Sequence, residues 1–221
     1  MSAYFVTATG TDIGKTYVTA ALLRAFRRAG ETVCALKPVV SGFPGADPAL
    51  SDPGVLLAAM AEPVNPSTLA TIAPWRFLAP LSPDMAAALE SRSIVFDELI
   101  AFCRKRIESH TGLLLIEGVG GVMVPLDGMH TVRDWIAELA IPIVLVAGGY
   151  LGSISHTLTT LEALALARLR PRVVIVNDCG GAPVPLAETA ATIARFAPEI
   201  PILPLARDGD ISPLAALLRP L

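Results

Sequence analysis

Residues 10–16 read GTDIGKT, and this run ends in the way that a phosphate-binding loop ends. In the standard form G-x-x-x-x-G-K-[ST], backbone N–H groups cradle the phosphates, the lysine reaches the β- and γ-phosphates and the hydroxyl binds Mg²⁺. Lys15 and Thr16 would take these two roles, because they follow Gly14 directly. The first glycine of the standard form would stand at Thr9, so this loop departs from the common spacing.

The segments on both sides of the loop agree with a nucleotide site. An apolar run at 4–8 precedes the loop as a strand would, and residues 15–29 place Leu22 and Phe26 on one helical stripe that ends at Gly30. The N–H groups and the dipole at a helix N-terminus attract anions. The pattern therefore favours nucleotide phosphates over an ordinary glycine turn followed by a capping threonine.

Two carboxylates are candidate ligands for a Mg²⁺ ion held with those phosphates, since this ion prefers oxygen donors. Glu117 ends the run LLLIEG, at the edge of a parallel sheet where ligands bind, although a strand-terminal acid that faces water is the alternative. Asp52 is the second candidate, and a helix N-cap role would explain it equally well.

A second lysine, Lys37, comes just past a buried run in the stretch LKPVVSG. There its charge could neutralise a transferring phosphoryl group or a carbamate. The alternative is a lysine at the sheet edge whose ammonium reaches solvent. The residues alone leave both interpretations open.

The elements that must position these residues follow from the apolar runs. Continuous Val, Ile and Leu runs indicate strands buried on both faces, at 4–8, 32–39, 113–118, 141–148, 172–178 and 200–206. Helical segments at 15–29, 155–169 and 185–197 separate several of them, so we predict a three-layer α/β/α fold with a mainly parallel central sheet, in one domain over 1–221. The proline-rich stretch 43–83 shows little periodicity beyond 52–61, and we interpret it as a long functional loop at the rim of the site.

The composition excludes several classes of partner. The chain is 53% hydrophobic with a mean hydropathy of +0.59, yet its apolar runs are shorter than the roughly 20 residues that cross a bilayer. No secretory signal follows Met1, so we predict a cytoplasmic location with no membrane partner. Three widely spaced cysteines suggest neither a disulfide framework nor a metal cluster. A net charge of −3 without a basic block makes nucleic acid an unfavourable partner.

Several further motifs resemble those of the dethiobiotin synthetase family of P-loop NTPases. The order and spacing match over nearly the whole chain, with KPVVSG and IEGVGG far more specific than G-K-T. The family's loop is longer than the standard form, with its early glycine at Ala8, which accounts for the departure at Thr9. Gly10 falls where the family tends to have Asp, and Asp12 supplies an acidic residue two positions later. The matching stretches are ATGTDIGKT (8–16), KPVVSG (37–42), SD (51–52), IEGVGG (116–121), LGSISH (151–156) and VND (176–178).

The resemblance implies a reaction, cofactors and an assembly. The family joins 7,8-diaminopelargonic acid with CO₂, or bicarbonate as its source, and uses ATP with Mg²⁺ to close the ureido ring of dethiobiotin. A carbamate forms on one amine, attacks the γ-phosphate, and the second amine displaces phosphate from the mixed anhydride. Such chemistry needs positioning and charge neutralisation more than covalent help from the protein. The family is a homodimer whose substrate tail crosses the interface.

By the same resemblance, Lys37 would hold the carbamate, and Lys15 and Thr11 the γ-phosphate. Thr16, Asp52 and Glu117 would hold the metal. Ser41 would contact the substrate near its amines. The carboxylate of the substrate would meet a helix N-terminus of the other subunit, at Gly152, Ser153, Ile154 and Ser155. Asn177 would read the adenine edge. The full set expected to contact the nucleotide is Asp12, Ile13, Gly14, Lys15, Thr16, Tyr17, Asp52, Glu117, Gly118, Val119, Gly120, Asn177, Asp178, Pro204, Leu205 and Ala206.

Two departures from the family and three rival functions stay open at this point. Ser155 stands where the family has Asn, and Asp84 stands where it often has His. A ParA/MinD-type ATPase would carry a lysine at Gly10 and a basic or membrane-binding surface. A cobyrinic-acid amidase would need an ammonia source, normally a fused glutaminase domain. A nucleotide-binding paralogue without catalysis is the third rival, which Thr16, Lys37, Asp52 and Glu117 argue against.

Overall fold

The computed structural model describes residues 2–44 and 46–218. Six of its strands form one parallel sheet in the order β2-β5-β1-β6-β7-β8, and the two remaining strands, β3 and β4, form a small parallel pair. The predicted mainly parallel sheet is therefore confirmed. The strands are β1 (Ser2–Ala8), β2 (Val33–Leu36), β3 (Val39–Val40), β4 (Trp75–Arg76), β5 (Leu113–Glu117), β6 (Ile143–Gly148), β7 (Pro171–Asn177) and β8 (Ile202–Leu205).

Helices cover both faces of this sheet. Because parallel strands are joined by right-handed crossovers, the connections that step towards β2 lie on one face and those that step towards β8 lie on the other. On one face, α1 packs against α2 and α9. On the other face, α5 packs against α6, and α7 packs against α8. The helices are α1 (Lys15–Arg28), α2 (Asp52–Met60), α3 (Pro66–Ile72), α4 (Pro83–Leu89), α5 (Phe96–Ser109), α6 (Val132–Leu139), α7 (Ser153–Leu166), α8 (Leu186–Phe196) and α9 (Ser212–Leu218).

The central strands form the core, and their register brings the ends of β1 and β5 to one edge. Every residue of β5 and of β6 is buried, as expected for continuous apolar runs between two helical layers. Phe5 packs edge-on against Trp135 of α6, with ring centroids 4.8 Å apart. Val6 pairs with Glu117, so the loop that follows β1 and the acid that ends β5 emerge side by side.

The prediction of one long loop over 43–83 is wrong. This stretch holds α2, α3, β4 and a 3₁₀ turn at Pro48–Leu50. Pro53, Pro66 and Pro83 lie in the first turns of their helices, where a missing N–H costs nothing and the fixed φ angle favours the helix. The prolines here start helices, so proline content did not indicate a loop.

None of the helices in the part of the chain that the structure describes is both long enough and apolar enough to cross a bilayer.

Candidate active site

The phosphate-binding loop joins the end of β1 to the start of α1. Gly14 precedes the helix with φ of 95°, a left-handed conformation that favours glycine. A side chain at Gly14 would also meet Asn177, since a Cβ there would lie 2.2 Å from its Nδ2. Within residues 2–44 and 46–218, no side chain caps the first turn of α1. Its N–H groups can therefore bind an anion.

Lys15 lies folded back over this loop. Its side chain is buried, with the residue 7% exposed, and Nζ donates a hydrogen bond of 2.9 Å to the carbonyl of Gly10. Burial and then the charge of Lys37 lower the pKa of Lys15 to about 8. A bound anion such as a phosphate would stabilise the protonated ammonium and oppose this lowering of the pKa. A buried lysine with a lowered pKa is in the electrostatic setting expected of a phosphate-binding lysine.

Lys37 and Glu117 form a buried ion pair at the carboxyl edge of the sheet. Lys37 Nζ donates to Glu117 Oε1 and to the carbonyl of Gly118, both at 2.7 Å. The side chains of Lys37 and Glu117 are 3% and 0% exposed. The alternatives of a solvent-reaching lysine and a water-facing acid are therefore wrong.

Asp52 completes the charge cluster from the other side. Its Oδ2 lies 3.1 Å from Lys37 Nζ, while its side chain is 45% exposed towards solvent. Ser51 is the N-cap of α2 and accepts a hydrogen bond from Gly54 N–H, so the N-cap alternative for Asp52 is wrong. Asp52 instead begins the helix, where an acidic residue also favours the helix dipole.

Opposite charges decide the ionisation of this cluster. Burial alone would lower the pKa of Lys37, but the charges of Glu117 and Asp52 and their hydrogen bonds outweigh it and raise that pKa. Burial alone would raise the pKa of Asp52, but Lys37 and the Thr16 hydroxyl outweigh it and lower that pKa. Lys37 is therefore an ammonium and Asp52 a carboxylate at neutral pH.

The donor set fits a Mg²⁺ ion that is bound together with phosphates. Thr16 Oγ1 donates to Glu117 Oε1 over 2.7 Å, so the hydroxyl and the carboxylate already meet. Glu117 Oε2 is buried and has no hydrogen-bond partner among the described residues, which leaves one oxygen for a further ligand. Two carboxylates and a hydroxyl are typical Mg²⁺ ligands when substrate phosphates and water supply the rest.

A cavity of about 840 Å³ opens in front of these groups. The phosphate loop, the segment after β2, the start of α2 and the loop after β5 all contribute to its wall. Predicted site residues in the lining are Thr11, Asp12, Gly14, Lys15, Thr16, Lys37, Ser41, Asp52, Val119 and Gly120.

The loop after β5 lies directly against the phosphate loop. A Cβ on Gly121 would come within 3.2 Å of the carbonyl of Thr9 and 3.3 Å of Gly10 N. Gly120 has φ of 58°, and a Cβ there would lie 2.6 Å from the side chain of Val124. The glycines of IEGVGG therefore allow this loop to lie close against the phosphate loop.

The residues predicted to hold the nucleotide base form a second cluster, which Asn177 joins to the end of the phosphate loop. Asn177 Nδ2 donates to the carbonyl of Ile13 over 2.8 Å, and Asn177 Oδ1 is buried without a partner in the described part of the chain. Asp178 N–H donates to Leu205, which joins β7 to the segment Pro204, Leu205 and Ala206. Tyr17 Oη accepts a hydrogen bond of 2.8 Å from Asp208 N–H and so anchors the loop after β8.

The predicted residues at the start of α7 do not line the cavity formed by residues of the described chain. Gly152 has φ of 95° and, like Ser155, is exposed, whereas Ser153 is buried and Ile154 is half-buried. Leu151 just before them is 85% exposed. The single chain thus brings together the residues predicted to bind the phosphates, the metal and the carbamate. It leaves the residues predicted to bind the substrate's carboxylate outside the cavity.

Sequence reasoning missed three contributors. Ser51 is buried and lines the cavity, and the pattern S-D-P, in which a serine cap is followed by an acid and a proline, could have indicated the helix start. The segment 80–83 also lines the cavity; it lies within the stretch 43–83 that was expected at the rim of the site, but none of its residues was predicted as a site residue. Asp208 supports Tyr17 across the base cluster, a contact between distant residues that only the fold reveals. Asp84 lies in the first turn of α4, beside this segment.

Comparisons with known proteins agree with this geometry. A family model described as an AAA domain matches residues 2–213. An ATP-dependent dethiobiotin synthetase of Acidiphilium cryptum (strain JF-5) is 53% identical over 196 residues, which cover 88% of this chain and 88% of that protein. The one of Methylobacterium nodulans is 49% identical over 214 residues and 95% of each chain.

Solved structures share the fold at low sequence identity. The MinC:MinD cell division protein complex of Aquifex aeolicus has a TM-score of 0.55 at 13% identity and covers 92% of this chain and 81% of that chain. Chloroplast FtsY from Physcomitrella patens has a TM-score of 0.54 at 14% identity and covers 99% and 65%. These likenesses show the P-loop NTPase fold alone. The relatives at high identity and coverage show more: this chain belongs to the ATP-dependent dethiobiotin synthetase family.

Proposed function

We propose that this chain closes the ureido ring of dethiobiotin from 7,8-diaminopelargonic acid and CO₂, with ATP converted to ADP and phosphate. The observation that carries the proposal is one cavity lined by a phosphate loop, two buried lysines and Asp52, with the buried Glu117 directly behind Lys37 and Thr16, in a chain of this family. A carboxylate-activating ligase needs such a concentration of positive charge, because both the carbamate and the γ-phosphate are anions.

The reaction would proceed in three steps. One amine of the substrate attacks CO₂ and loses a proton, which gives a carbamate. A carbamate oxygen then attacks the γ-phosphorus as ADP leaves, and this forms a carbamic-phosphoric anhydride. The second amine attacks the anhydride carbon, phosphate leaves, and the new C–N bond closes the ring.

The chain's own residues would hold and orient the reacting groups. Lys15 and Thr11 would bind the γ-phosphate, and Lys37 would neutralise the carbamate. Ser41, in the same cavity wall, would accept or donate a hydrogen bond near the substrate amines. Thr16, Asp52 and Glu117 would hold Mg²⁺, which would neutralise charge on the phosphate oxygens when bound.

The base cluster supports ATP as the nucleotide. Asn177 Oδ1 has no partner among the described residues and, as a carbonyl oxygen, can only accept a hydrogen bond, whereas Nδ2 already donates one of its two N–H groups to Ile13. Adenine presents an amino group at its six position, whereas guanine presents an oxygen there. We therefore expect adenine to be preferred to guanine.

We further propose a homodimer in which the start of α7 from one subunit binds the substrate carboxylate in the cavity of the other. The first turn of α7 has N–H groups without a side-chain cap among the described residues, and Gly152 and Ser155 are exposed. Leu151 beside them is a large exposed apolar side chain, as expected where a partner subunit covers a surface. A cytoplasmic location, and the lack of nucleic-acid and membrane partners, stay predictions.

An isotope experiment tests the reaction itself. The purified protein is incubated with ATP, Mg²⁺, the diamine and bicarbonate labelled with carbon-13, and the products are identified by mass spectrometry. We expect dethiobiotin that carries one labelled carbon in its ureido carbonyl, formed in equal amount with ADP. ADP without labelled dethiobiotin would contradict the proposal.

A further inference from the structure

We propose that Lys37 is a tethered counter-ion at the metal site: without metal its ammonium holds Asp52 and Glu117 together, and the metal that arrives with the nucleotide displaces it into the substrate cavity. This inference rests on the proposed function for the identity of the substrate, but its first step concerns only the chain and a divalent cation.

Two hydrogen bonds and one ion pair hold the ammonium of Lys37 in place. An ammonium has three N–H groups. Nζ lies 2.7 Å from Glu117 Oε1, 2.7 Å from the carbonyl of Gly118 and 3.1 Å from Asp52 Oδ2. A substrate carbamate could not receive a hydrogen bond from Lys37 in this arrangement, so at least one of these bonds has to break before catalysis.

The ammonium and a metal ion would compete for the negative charge of the same two carboxylates. Glu117 Oε1 accepts hydrogen bonds from both Lys37 Nζ and Thr16 Oγ1, each at 2.7 Å. A divalent cation bound to Glu117 and Thr16 would face the positive charge of Lys37 at close range, where burial leaves little solvent to screen the repulsion. Glu117 Oε2 is open to the metal, but this repulsion favours metal binding when Lys37 leaves the carboxylates.

The space next to the Lys37 side chain is the candidate active-site cavity. The side chain is 3% exposed in its ion-paired position, and the wall beside it opens into this cavity. Lys37 itself lines the cavity, together with Ser41 and Thr11. Displacement thus moves a positive charge from the metal ligands towards the position proposed for the carbamate, and it couples metal binding to readiness for the substrate.

The same ion pair explains how the nucleotide-free protein tolerates a buried acid. Glu117 is fully buried, and an unpaired charge in that environment is strongly destabilising. Lys37 supplies the compensating charge in the absence of metal, and the metal supplies it afterwards. The buried charge of Glu117 is compensated in both states.

Manganese titration in the absence of nucleotide tests the competition directly, with free Mn²⁺ followed by electron paramagnetic resonance. We compare the wild-type protein with Lys37→Gln and with Lys105→Gln, a matched loss of a lysine charge at an exposed position of α5. We expect Lys37→Gln to bind Mn²⁺ at least about tenfold more tightly than wild type, because the carboxylates lose their competing cation. Lys105→Gln should bind as wild type does. Equal or weaker Mn²⁺ binding by Lys37→Gln would overturn the proposal.

A second measurement uses the unaltered protein and does not depend on the stability of a variant. The chain has three lysines, so labelling their side-chain nitrogens with nitrogen-15 gives three resonances at most. The Lys37 resonance should stay in place when a non-hydrolysable ATP analogue is added with EDTA, and it should shift when Mg²⁺ is then added. A Lys37 resonance that does not respond to Mg²⁺ would equally overturn the proposal.

These experiments separate the inference from the proposed function. Neither contains the diamine, so failure of diamine-dependent turnover would refute the proposed reaction and leave the metal competition to stand on its own result. Conversely, the wild-type protein could form dethiobiotin normally while Lys37→Gln shows no gain of Mn²⁺ affinity. That combination would refute only the counter-ion role.

Discussion

The side chain of Asn177 donates a hydrogen bond of 2.8 Å to the backbone carbonyl of Ile13, which fastens the end of β7 to the phosphate-binding loop. In the proposed function, one residue therefore takes part in both halves of the nucleotide site. Its amide nitrogen supports the loop that faces the phosphates, and its buried carbonyl oxygen is left for the base.

Asn177→Ala should weaken ATP binding and reduce the preference for ATP over GTP. Loss of a buried hydrogen-bond partner costs about 1–3 kcal/mol, so we expect the KM for ATP to rise by roughly tenfold or more. Steady-state kinetics with ATP and with GTP check this. An unchanged ratio of kcat/KM between the two nucleotides would show that Asn177 does not read the base.

Glu117→Gln and Asp52→Asn should differ in their effect on stability. Glu117 is fully buried, so removal of its charge leaves Lys37 with a weaker counter-charge and should cost about 3–5 kcal/mol of unfolding free energy. The side chain of Asp52 is 45% exposed, and solvent screening should limit its loss to about 1 kcal/mol or less.

Both substitutions remove a proposed metal ligand, so both should raise the Mg²⁺ concentration needed for half-maximal activity. Urea unfolding and a Mg²⁺ titration of turnover give the two readouts. A larger stability loss for Asp52→Asn than for Glu117→Gln would contradict the assigned burial of the pair.

Much of this charge cluster could be predicted from the sequence, whereas its pairing could not. Glu117 was found because a strand-like run ends there, and Lys37 because a similar run ends just before it. Their contact joins residues 80 positions apart, and it exists because β2 and β5 lie side by side in the sheet. Strand order is a global property, so local patterns left the choice between a paired and a solvated lysine open.

The helical stretch after β2 shows a different limit of sequence reasoning. Pro53, Pro66 and Pro83 each lie in the first turn of a helix, but proline also breaks helices, and composition does not separate the two uses. Only the cap residue before each proline carries the distinction. Asn65 shows it most clearly, since its side chain accepts hydrogen bonds from Ser67 N–H and Thr68 N–H.

Nucleotide binding should weaken at alkaline pH because the pKa of Lys15 is lowered to about 8. The protonated ammonium binds phosphate, and it is present below this pKa and lost as the pH rises through it. We expect kcat/KM for ATP, which reports the free enzyme, to fall above about pH 8. In Lys15→Arg, whose guanidinium does not titrate in this range, any residual binding of ATP should lack that fall. A wild-type profile that is flat to pH 9.5 or above would contradict the assignment.

Ser51→Ala should disturb the metal site indirectly. The Ser51 side chain accepts a hydrogen bond from Gly54 N–H at the start of α2, and loss of such a cap costs about 1 kcal/mol. Asp52 is the next residue, so fraying of this turn should also raise the Mg²⁺ requirement. Ser51→Thr, which keeps a hydroxyl that can cap, is the control. If Ser51→Ala has the same free energy of unfolding as the wild type, the hydrogen bond from Gly54 N–H to Ser51 does not stabilise the helix.

Leu151→Asp should weaken the proposed homodimer. Leu151 is 85% exposed in the single chain, so a charge there leaves the subunit fold intact and opposes burial against a partner. Light scattering after size-exclusion chromatography measures the mass of each species. Leu166→Asp, at an 82% exposed position near the opposite end of α7, is the matched control. Dissociation by the control alone would place the interface elsewhere.

The most direct test of the central claim is phosphate release by the purified protein with ATP, Mg²⁺ and bicarbonate, measured with and without 7,8-diaminopelargonic acid. We predict release that depends on the diamine, with one dethiobiotin formed for each phosphate, and the loss of both in Lys37→Ala. Phosphate release at the same rate without the diamine would contradict the claim and would favour a nucleotide-driven switch built on the same fold.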